Sequence, residues 1–267
     1  MAIFDTDKIR VIDLEFPRTA GMPEFPTHKP GFAFTLYHRH EDKLGTGGIR
    51  SSAFGQLHGT EHAGTHIDAL SHQAECMALH GGIAVTKEIE TPTGFTAHGA
   101  EDLPPIFAGG VLLDVAALKG VQSLDAKYPV TADDLQACCN RQNLTIAKKS
   151  VILVNLGNGH FWDDEARFLD APGMDRSATE WVMEHDPIAV GADNICWDLV
   201  ESWDEELKCN LPGHLLLLVR SGIYIMENLN LIELTASGHS EFLFVTIPLK
   251  LVGATGSPIR PLALLPV

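Results

Sequence analysis

Long apolar runs and basic side chains are both scarce in this chain of 267 residues. The longest apolar run, Leu215–Val219, stops at Arg220, far short of the roughly 18 residues that a membrane-spanning helix requires. Lys and Arg number 19 against 35 Asp and Glu, which gives a formal net charge of −16. Nucleic acids and anionic membrane surfaces bind through basic patches. We therefore expect neither a nucleic acid nor a membrane as a partner.

Cysteine is present in a small, odd number without any C-x-x-C spacing, as Cys76, Cys138, Cys139, Cys196 and Cys209. Disulfide frameworks and cysteine zinc sites need paired or regularly spaced thiols, so both are excluded. The N-terminal MAIFDTDKIR has no basic segment followed by an apolar one, which is the pattern of a secretory signal. These features predict reduced thiols in a cytoplasmic protein.

Several common signatures of catalysis and nucleotide binding are also missing. The sequence contains no G-x-S-x-G elbow for a nucleophilic serine and no cysteine in a recognised nucleophile motif. It contains no P-loop and no G-x-G-x-x-G segment for nucleotide phosphates. If the protein is an enzyme, its chemistry must use other side chains.

Apolar segments along the chain predict buried strands, because continuous hydrophobic runs are typical of strands covered on both faces. The length suits one large domain, which we place over residues 1–267. The predicted strands are Ile9–Phe16, Gly110–Val115, Val151–Leu156, Ile188–Ala192 and Glu241–Val252.

Helix signals lie between these strands. Thr131 followed by two acidic residues predicts a helix that runs to about Asn143. Ser177 and Glu180 have the spacing of a capping box and predict a second helix that stops before Pro187. Strands that alternate with helices indicate an α/β fold.

The segment EHAGTHIDALSH, residues 61–72, concentrates the side chains that bind metals. Imidazole and carboxylate groups are ligands of zinc and manganese. In a regular strand His62 and His66 would lie about 13 Å apart, too far to share an ion at ligand distances of about 2 Å. The chain must therefore bend between them, and Gly64 is the residue that accepts the required backbone conformation. His66 and Asp68 then lie on the same side of a short extended piece.

This segment resembles the signature H-x-G-T-H-x-D-x-P-x-H of the metal-dependent cyclase family of hydrolases, which includes bacterial kynurenine formamidase and isatin hydrolase. Every metal-ligand position matches, and Leu70 stands where the family usually has Pro. Three further segments are similar to the family in the same order along the chain. They are VIDLEFPRTAGMPEFP (11–26), HLLLLVRSGIYIMENL (214–229) and TGSPIRPLALLP (255–266).

The resemblance implies both a fold and a set of metal ligands. The fold is a swivelling β/β/α domain with a mixed central sheet and flanking helices, assembled as a homodimer or homotetramer. One or two divalent ions, zinc or manganese, bind per chain. His62 and His66 hold the first ion, Asp68 bridges the two ions, and Glu227 with His214 completes a second site. The stretch between His214 and Glu227 is one residue longer in this chain than in many family members.

The resemblance also implies hydrolysis of a C–N bond in a small amide, formamide or cyclic amide by a metal-bound hydroxide. His72 is the general base that then protonates the leaving nitrogen. A lactone hydrolase or a cyclase or dehydratase on the same site remains an alternative, as does a metal-binding protein without catalysis. The presence of His72 distinguishes an enzyme from a non-catalytic metal-binding protein, since a structural site needs no base beside it.

Two roles remain possible for each of several other polar and aromatic residues. Glu61 either orients His62 or is a surface carboxylate, and Asp193 either supports the site or caps a loop. Aromatic side chains either line a pocket or belong to the core. The candidates for a pocket wall are Phe25, Phe32, Phe34, Phe161 and Trp162.

Overall fold

A nine-stranded sheet organises the chain, whose computed structural model describes residues 8–42 and 49–267. In chain order, the strands of this sheet and of one separate hairpin (β2 and β3) are β1 (Ile9–Asp13), β2 (Ala33–His38), β3 (Phe54–His58), β4 (His66–Asp68), β5 (Ile106–Asp114), β6 (Val151–Asn155), β7 (Ala189–Ala192), β8 (Tyr224–Glu227), β9 (Glu241–Thr246), β10 (Gly256–Pro258) and β11 (Leu262–Pro266).

The sheet has the order β1-β11-β9-β5-β6-β7-β8-β4-β10. The central strands β5 to β8 are parallel to one another. The strands on either side of them pair antiparallel. The sheet is therefore mixed, as the resemblance predicted.

Helices and short turns fill the connections between the strands. The helices are α1 (Val115–Lys119), α2 (Ala132–Gln142), α3 (Glu165–Leu169), α4 (Arg176–Glu184), α5 (Pro212–His214), which continues into a π-helix at Leu215–Ser221, and α6 (Ile232–Ala236). Short 3-10 turns lie at His80–Gly82, Ala100–Asp102 and Asn158–Phe161. Pairs of two-residue strands join Ala78–Leu79 to Ile83–Ala84, Glu90–Thr91 to Gly94–Phe95, Pro129–Val130 to Gly173–Met174, and Trp203–Asp204 to Cys209–Asn210. Among the helices of the described ranges, none is long and apolar enough to cross a membrane.

The core lies on both faces of the central strands. Along β6, Ile152 and Val154 pack with the residues of α2 and α4 on one face. Val151 and Leu153 pack on the opposite face. Successive side chains of a strand point to opposite faces, so a strand that is buried on both must be apolar throughout. This explains why β6 appears in the sequence as an uninterrupted hydrophobic run.

All five predicted strands are present, but their bounds differ from the predicted ones. β5 begins at Ile106, four residues before Gly110, and β5 and β6 each end one residue early. β1 and β9 end well before the predicted residues. β1 stops at Asp13, and Phe16 N instead donates a hydrogen bond to Thr65 Oγ1. β9 stops at Thr246, two residues before Pro248, which has no N–H to donate to a neighbouring strand. The predicted extensions to Phe16 and Val252 are therefore wrong.

The two predicted helices form, with one change of cap. Thr131 caps α2 in a reciprocal capping box with Asp134. α4 begins one residue before Ser177, because Asp175 is its N-cap and accepts a hydrogen bond from Ala178 N at 2.9 Å. The capping box predicted at Ser177 is therefore wrong, and the helix ends at Glu184, before Pro187 as expected.

The N-terminal segment MAIFDTDKIR, from which the absence of a secretory signal was predicted, includes residues 1–7, which lie outside the described residues.

Candidate metal centre

Strand pairing brings together three residues of the candidate site. β4 and β8 are antiparallel, and their register places Glu227 opposite His66. Asp68 lies two residues further along β4, so its side chain shares a face with that of His66. All three residues are buried. Two short strands therefore assemble candidate ligands from distant parts of the sequence.

A bend before β4 returns His62 to the same place. Gly64 has a φ of +67°, a conformation that costs glycine little, and a Cβ at this position would lie 3.0 Å from Arg18 Nη1. The bend brings His62 Nδ1 to 2.9 Å from Asp68 Oδ1. A straight strand could not achieve this approach, so Gly64 supplies the turn that the spacing of the histidines demands.

His214 approaches the two carboxylates from α5. Pro212 occupies the first turn of this helix, where its missing N–H removes no helical hydrogen bond. His214 Nε2 lies 3.2 Å from Glu227 Oε1 and 3.6 Å from Asp68 Oδ2. His66 Nε2 lies 3.4 Å from Glu227 Oε2 and 3.5 Å from Asp68 Oδ1. All five residues predicted as ligands therefore meet in one buried cluster.

Hydrogen bonds on its outer side fix which nitrogen of His62 faces the cluster. Thr255 donates its hydroxyl proton to Glu61 Oε1 at 3.0 Å. The same hydroxyl lies 2.8 Å from His62 Nε2, and with its proton committed it must accept a proton from that nitrogen. His62 Nδ1 therefore presents a lone pair to Asp68. Glu61 is half-buried and acts on His62 through Thr255, so its reading as a surface carboxylate is wrong.

The other two histidines are oriented in the same way. His66 Nδ1 lies 2.8 Å from Gly64 O, which can only accept a hydrogen bond. His214 Nδ1 lies 2.7 Å from Asp198 Oδ2. Each outer nitrogen is thus the donor, which leaves Nε2 of each ring facing the carboxylates. Metal-binding histidines usually have such a partner on the opposite nitrogen.

The atoms at the centre of the cluster fit a divalent metal. His62 Nδ1, His66 Nε2 and both carboxylate oxygens of Asp68 are buried and have no hydrogen-bond partner among the described residues. Such unsatisfied groups cost roughly 1–3 kcal/mol each when buried, and lone pairs that face carboxylates repel them. A zinc or manganese ion binds imidazole nitrogen and carboxylate oxygen and would satisfy all of these atoms.

The charges in the cluster favour a cation. Burial lowers the pKa of His66, but the adjacent carboxylates of Asp68 and Glu227 outweigh this effect and raise the pKa to about 10. Burial raises the pKa of Glu227, but His214 and His66 outweigh it and lower the pKa to about 2. Both shifts arise because two buried carboxylates require positive charge nearby. A divalent cation supplies more of this charge than a proton does.

His72 lies at the edge of the cluster and is only half-buried. Its ring centroid is 4.3 Å from that of His62 and 6.0 Å from that of His214. Burial lowers the pKa of His72 to about 4, with Asp68 opposing the shift and His62 adding to it. Within the described ranges, no hydrogen bond restrains its ring. A neutral imidazole in this position can take up a proton and release it again.

Asp198 is a residue of the site that the sequence did not indicate, since it belongs to no motif. Besides His214 Nδ1, its carboxylate accepts hydrogen bonds from Gly213 N at 2.6 Å and His214 N at 3.1 Å. It is 1% exposed. Asp198 therefore fixes both the start of α5 and the ring orientation of His214.

Replacing Asp198 with Asn should weaken metal binding by roughly 10- to 100-fold, as is typical when the partner of a metal-binding histidine is lost. The new amide N–H₂ can donate to His214 Nδ1, and the ring proton would then move to Nε2, the nitrogen that faces Asp68 and Glu227. Zinc affinity measured by competition with a chelating dye tests this. Asp186→Asn, at an exposed ion pair with Lys149, is the matched control and should bind zinc as the wild type does.

Asp193 caps a loop and does not enter the cluster. Its carboxylate accepts hydrogen bonds from Leu156 N at 2.8 Å and Gly159 N at 3.0 Å. Burial raises the pKa of Asp193 to about 6, although these backbone donors oppose the shift. Of its two predicted roles, the loop cap is the one that the structure supports.

The aromatic candidates divide between the core and the surface. Trp162 belongs to a buried cluster, with Phe25, Phe32 and Phe161 packed against it. Phe34 is 55% exposed on the hairpin of β2 and β3. Phe25 also contacts His28, at 5.4 Å between ring centroids. No sequence motif includes His28, which lies beside the site.

Comparison with known proteins places the chain in a family. Residues 12–199 match the family model described as putative cyclase. A solved structure described as a novel cyclase is similar at 26% identity over 95% of this chain and 86% of that chain, with a TM-score of 0.85. No curated protein shows significant sequence similarity.

Two other solved structures share the fold at lower identity. Isatin hydrolase A from Ralstonia solanacearum is 24% identical over 96% of this chain and 92% of its own, with a TM-score of 0.74. A predicted metal-dependent hydrolase from Bacillus stearothermophilus is 22% identical over 96% of this chain and 98% of its own, with a TM-score of 0.61. Since the family model covers more than half of the sequence, the chain belongs to the cyclase family.

Proposed function

We propose that this chain is a metal-dependent hydrolase that cleaves a C–N bond in a small amide, formamide or cyclic amide. One observation carries the proposal. Three buried histidines each direct one ring nitrogen at the carboxylates of Asp68 and Glu227, while His72 lies beside them with an unrestrained ring. Similarity of fold to isatin hydrolase and to a predicted metal-dependent hydrolase supports the same reaction class.

The ligands fall into two groups that share Asp68. Ligand atoms of His62, Asp68 and His72 lie within 4.8 Å of one another, as do those of Asp68, His214 and Glu227. Oδ1 of Asp68 faces His62 and Oδ2 faces His214, while His66 lies between the two carboxylates. These residues would hold one or two zinc or manganese ions, and Asp68 would contribute to both ligand groups.

The protein's own groups then have defined tasks. A bound metal ion lowers the pKa of a water molecule and polarises the scissile carbonyl. His72 accepts the proton that the attacking water loses and returns it to the leaving nitrogen, so that amide and water become acid and amine. Glu61, Thr255 and Asp198 hold the metal-binding rings in place and take no part in proton transfer.

A substrate panel tests this function. Zinc-loaded and manganese-loaded protein should hydrolyse at least one aryl formamide, simple amide or isatin-like lactam, and chelation should abolish the rate. Release of the amine or acid product is followed by chromatography. Hydrolysis of lactones alone would replace the C–N specificity with ester cleavage. Tight metal binding without turnover on any of these compounds would favour a non-catalytic metal-binding protein.

A further inference from the structure

His28 lies at the edge of the candidate metal centre, beside His62 and His72. Its ring centroid is 5.0 Å from that of His62 and 6.2 Å from that of His72. On the other side it contacts Phe25. The residue is half-buried. A molecule that reaches His72 from solvent on this side therefore passes next to the His28 ring.

The hydrogen bonding of His28 differs from that of the metal-binding histidines. His62, His66 and His214 each donate from the outer nitrogen to a fixed acceptor. In the part of the chain that the structure describes, neither nitrogen of His28 has a hydrogen-bond partner. Both nitrogens therefore remain available to a ligand.

Contacts of the buried Glu24 hold the loop that carries His28. Glu24 is 6% exposed, and its Oε1 accepts a hydrogen bond from Phe32 N. Glu24 Oε2 lies 3.7 Å from Lys29 Nζ. A Cβ on Gly31 would overlap this same carboxylate oxygen, so a larger residue there would displace the carboxylate of Glu24. The buried carboxylate thus joins the two ends of the loop and fixes the position of His28.

We propose that His28 is a substrate-binding residue, which hydrogen-bonds through a ring nitrogen to a polar group of the substrate beside the scissile carbonyl. The inference rests on the proposed hydrolase function and names a contact that neither the sequence motif nor the metal ligands include. It predicts that productive substrates carry a hydrogen-bonding group near the bond that breaks. The competing explanation is that His28 only packs on Phe25.

Two substitutions separate the contact from packing. His28→Phe keeps an aromatic ring against Phe25 and removes both nitrogens, while His28→Gln keeps a polar group near the position of the ring edge. The probe is benzohydroxamate, a metal-chelating compound with an N–H and a carbonyl, titrated calorimetrically into zinc-loaded protein. We expect His28→Phe to weaken its binding by roughly tenfold, the usual effect of one lost hydrogen bond. His28→Gln should retain most of the affinity, and zinc per chain should be unchanged in both.

Two controls complete the design. His239→Phe, at an exposed histidine that hydrogen-bonds Ser237 O, should bind the probe as the wild type does. Glu24→Ala should weaken probe binding as His28→Phe does, because it releases the loop, and Glu24→Gln should restore binding because it keeps an acceptor for Phe32 N.

Each remaining outcome has a defined meaning. Unchanged probe affinity in His28→Phe would overturn the inference in favour of packing, and loss of zinc in that variant would make His28 a ligand instead. Failure of the zinc-loaded wild type to bind the probe would also overturn it. If the probe binds in a His28-dependent manner but no compound of the substrate panel is hydrolysed, the proposed function fails while the contact stands.

Discussion

Replacing Asp68 with Ala is expected to reduce bound metal to near zero and to abolish hydrolysis. Among the residues that the structure describes, Asp68 is the one that both ligand groups share, with one oxygen 2.9 Å from His62 Nδ1 and the other 3.6 Å from His214 Nε2. Loss of an outer partner of a metal ligand typically costs about 10- to 100-fold in affinity or activity. Loss of the shared carboxylate itself should exceed this range. Elemental analysis and rates on the same preparation give both quantities.

The Asp68→Ala variant should still fold, which separates metal loss from unfolding. Asp68 and Glu227 are buried like charges, and the removal of one relieves repulsion between them. At a free metal concentration of 100 times Kd, the wild type should gain about 2.7 kcal/mol of stability, or a rise in Tm of roughly 5 °C or more for a domain of this size. Asp68→Ala should gain none. Asp186→Ala, at a surface ion pair with Lys149, is the control and should respond to metal as the wild type does.

Full metal occupancy in Asp68→Ala would contradict the ligand assignment. His66→Ala provides a second test, because its Nε2 faces both carboxylates. Metal retention in both variants would mean that the metal binds elsewhere in the protein. An unfolded variant, recognised from its circular dichroism, would be replaced by Asp68→Asn, which keeps the size of the side chain and removes its charge.

Replacing His72 with Ala is expected to leave most of the metal bound and to lower kcat by roughly 10²- to 10⁴-fold, the usual contribution of a general acid–base group. No hydrogen bond within the described residues restrains its ring, and burial holds its pKa near 4. The ring is therefore neutral at pH 7 and able to accept a proton. Metal per chain and kcat, measured together, test this assignment.

Comparison of metal per chain with kcat in His72→Ala determines whether His72 transfers protons or binds the metal. A normal kcat in His72→Ala would remove it from proton transfer. A loss of metal comparable to that in Asp68→Ala would instead make His72 a ligand in the group with His62 and Asp68. His160→Ala, at an exposed histidine outside the cluster, is the matched control and should change neither quantity.

The local part of the site was predictable from the sequence because its geometry is set within a few residues. The spacing of His62 and His66 required a bend, and Gly64 provides it with a φ of +67°. Leu70, where the family signature has Pro, is buried in the core, while His72 N donates to Ala69 O at 3.0 Å. The chain after β4 thus keeps its turn without the proline.

The distant part of the site depends on tertiary pairing that no local pattern encodes. β4 has three residues and β8 has four, too few for an alternating pattern to stand out. Their register is what places Glu227 opposite His66. Only the resemblance to the cyclase family identified Glu227 and His214 as partners of the first segment.

The supporting roles of Thr255 and Asp198 were not predicted from the sequence. Thr255, just before β10, lies behind His62, and Asp198 lies behind His214 of α5, so each acts on a histidine from another segment of the chain. Single polar residues in such positions look like ordinary loop residues until the chain is folded. The single domain over residues 1–267, the homodimer or homotetramer and the cytoplasmic location remain predictions, for which light scattering and cell fractionation are the direct measurements.

The central claim is that the cluster of His62, His66, Asp68, His214 and Glu227 binds a divalent metal. Elemental analysis of untagged protein purified without chelators measures this most directly. The account predicts one or two zinc or manganese ions per chain in the wild type and almost none in Asp68→Ala. Wild-type protein that is free of metal and takes up neither zinc nor manganese on reconstitution would contradict it.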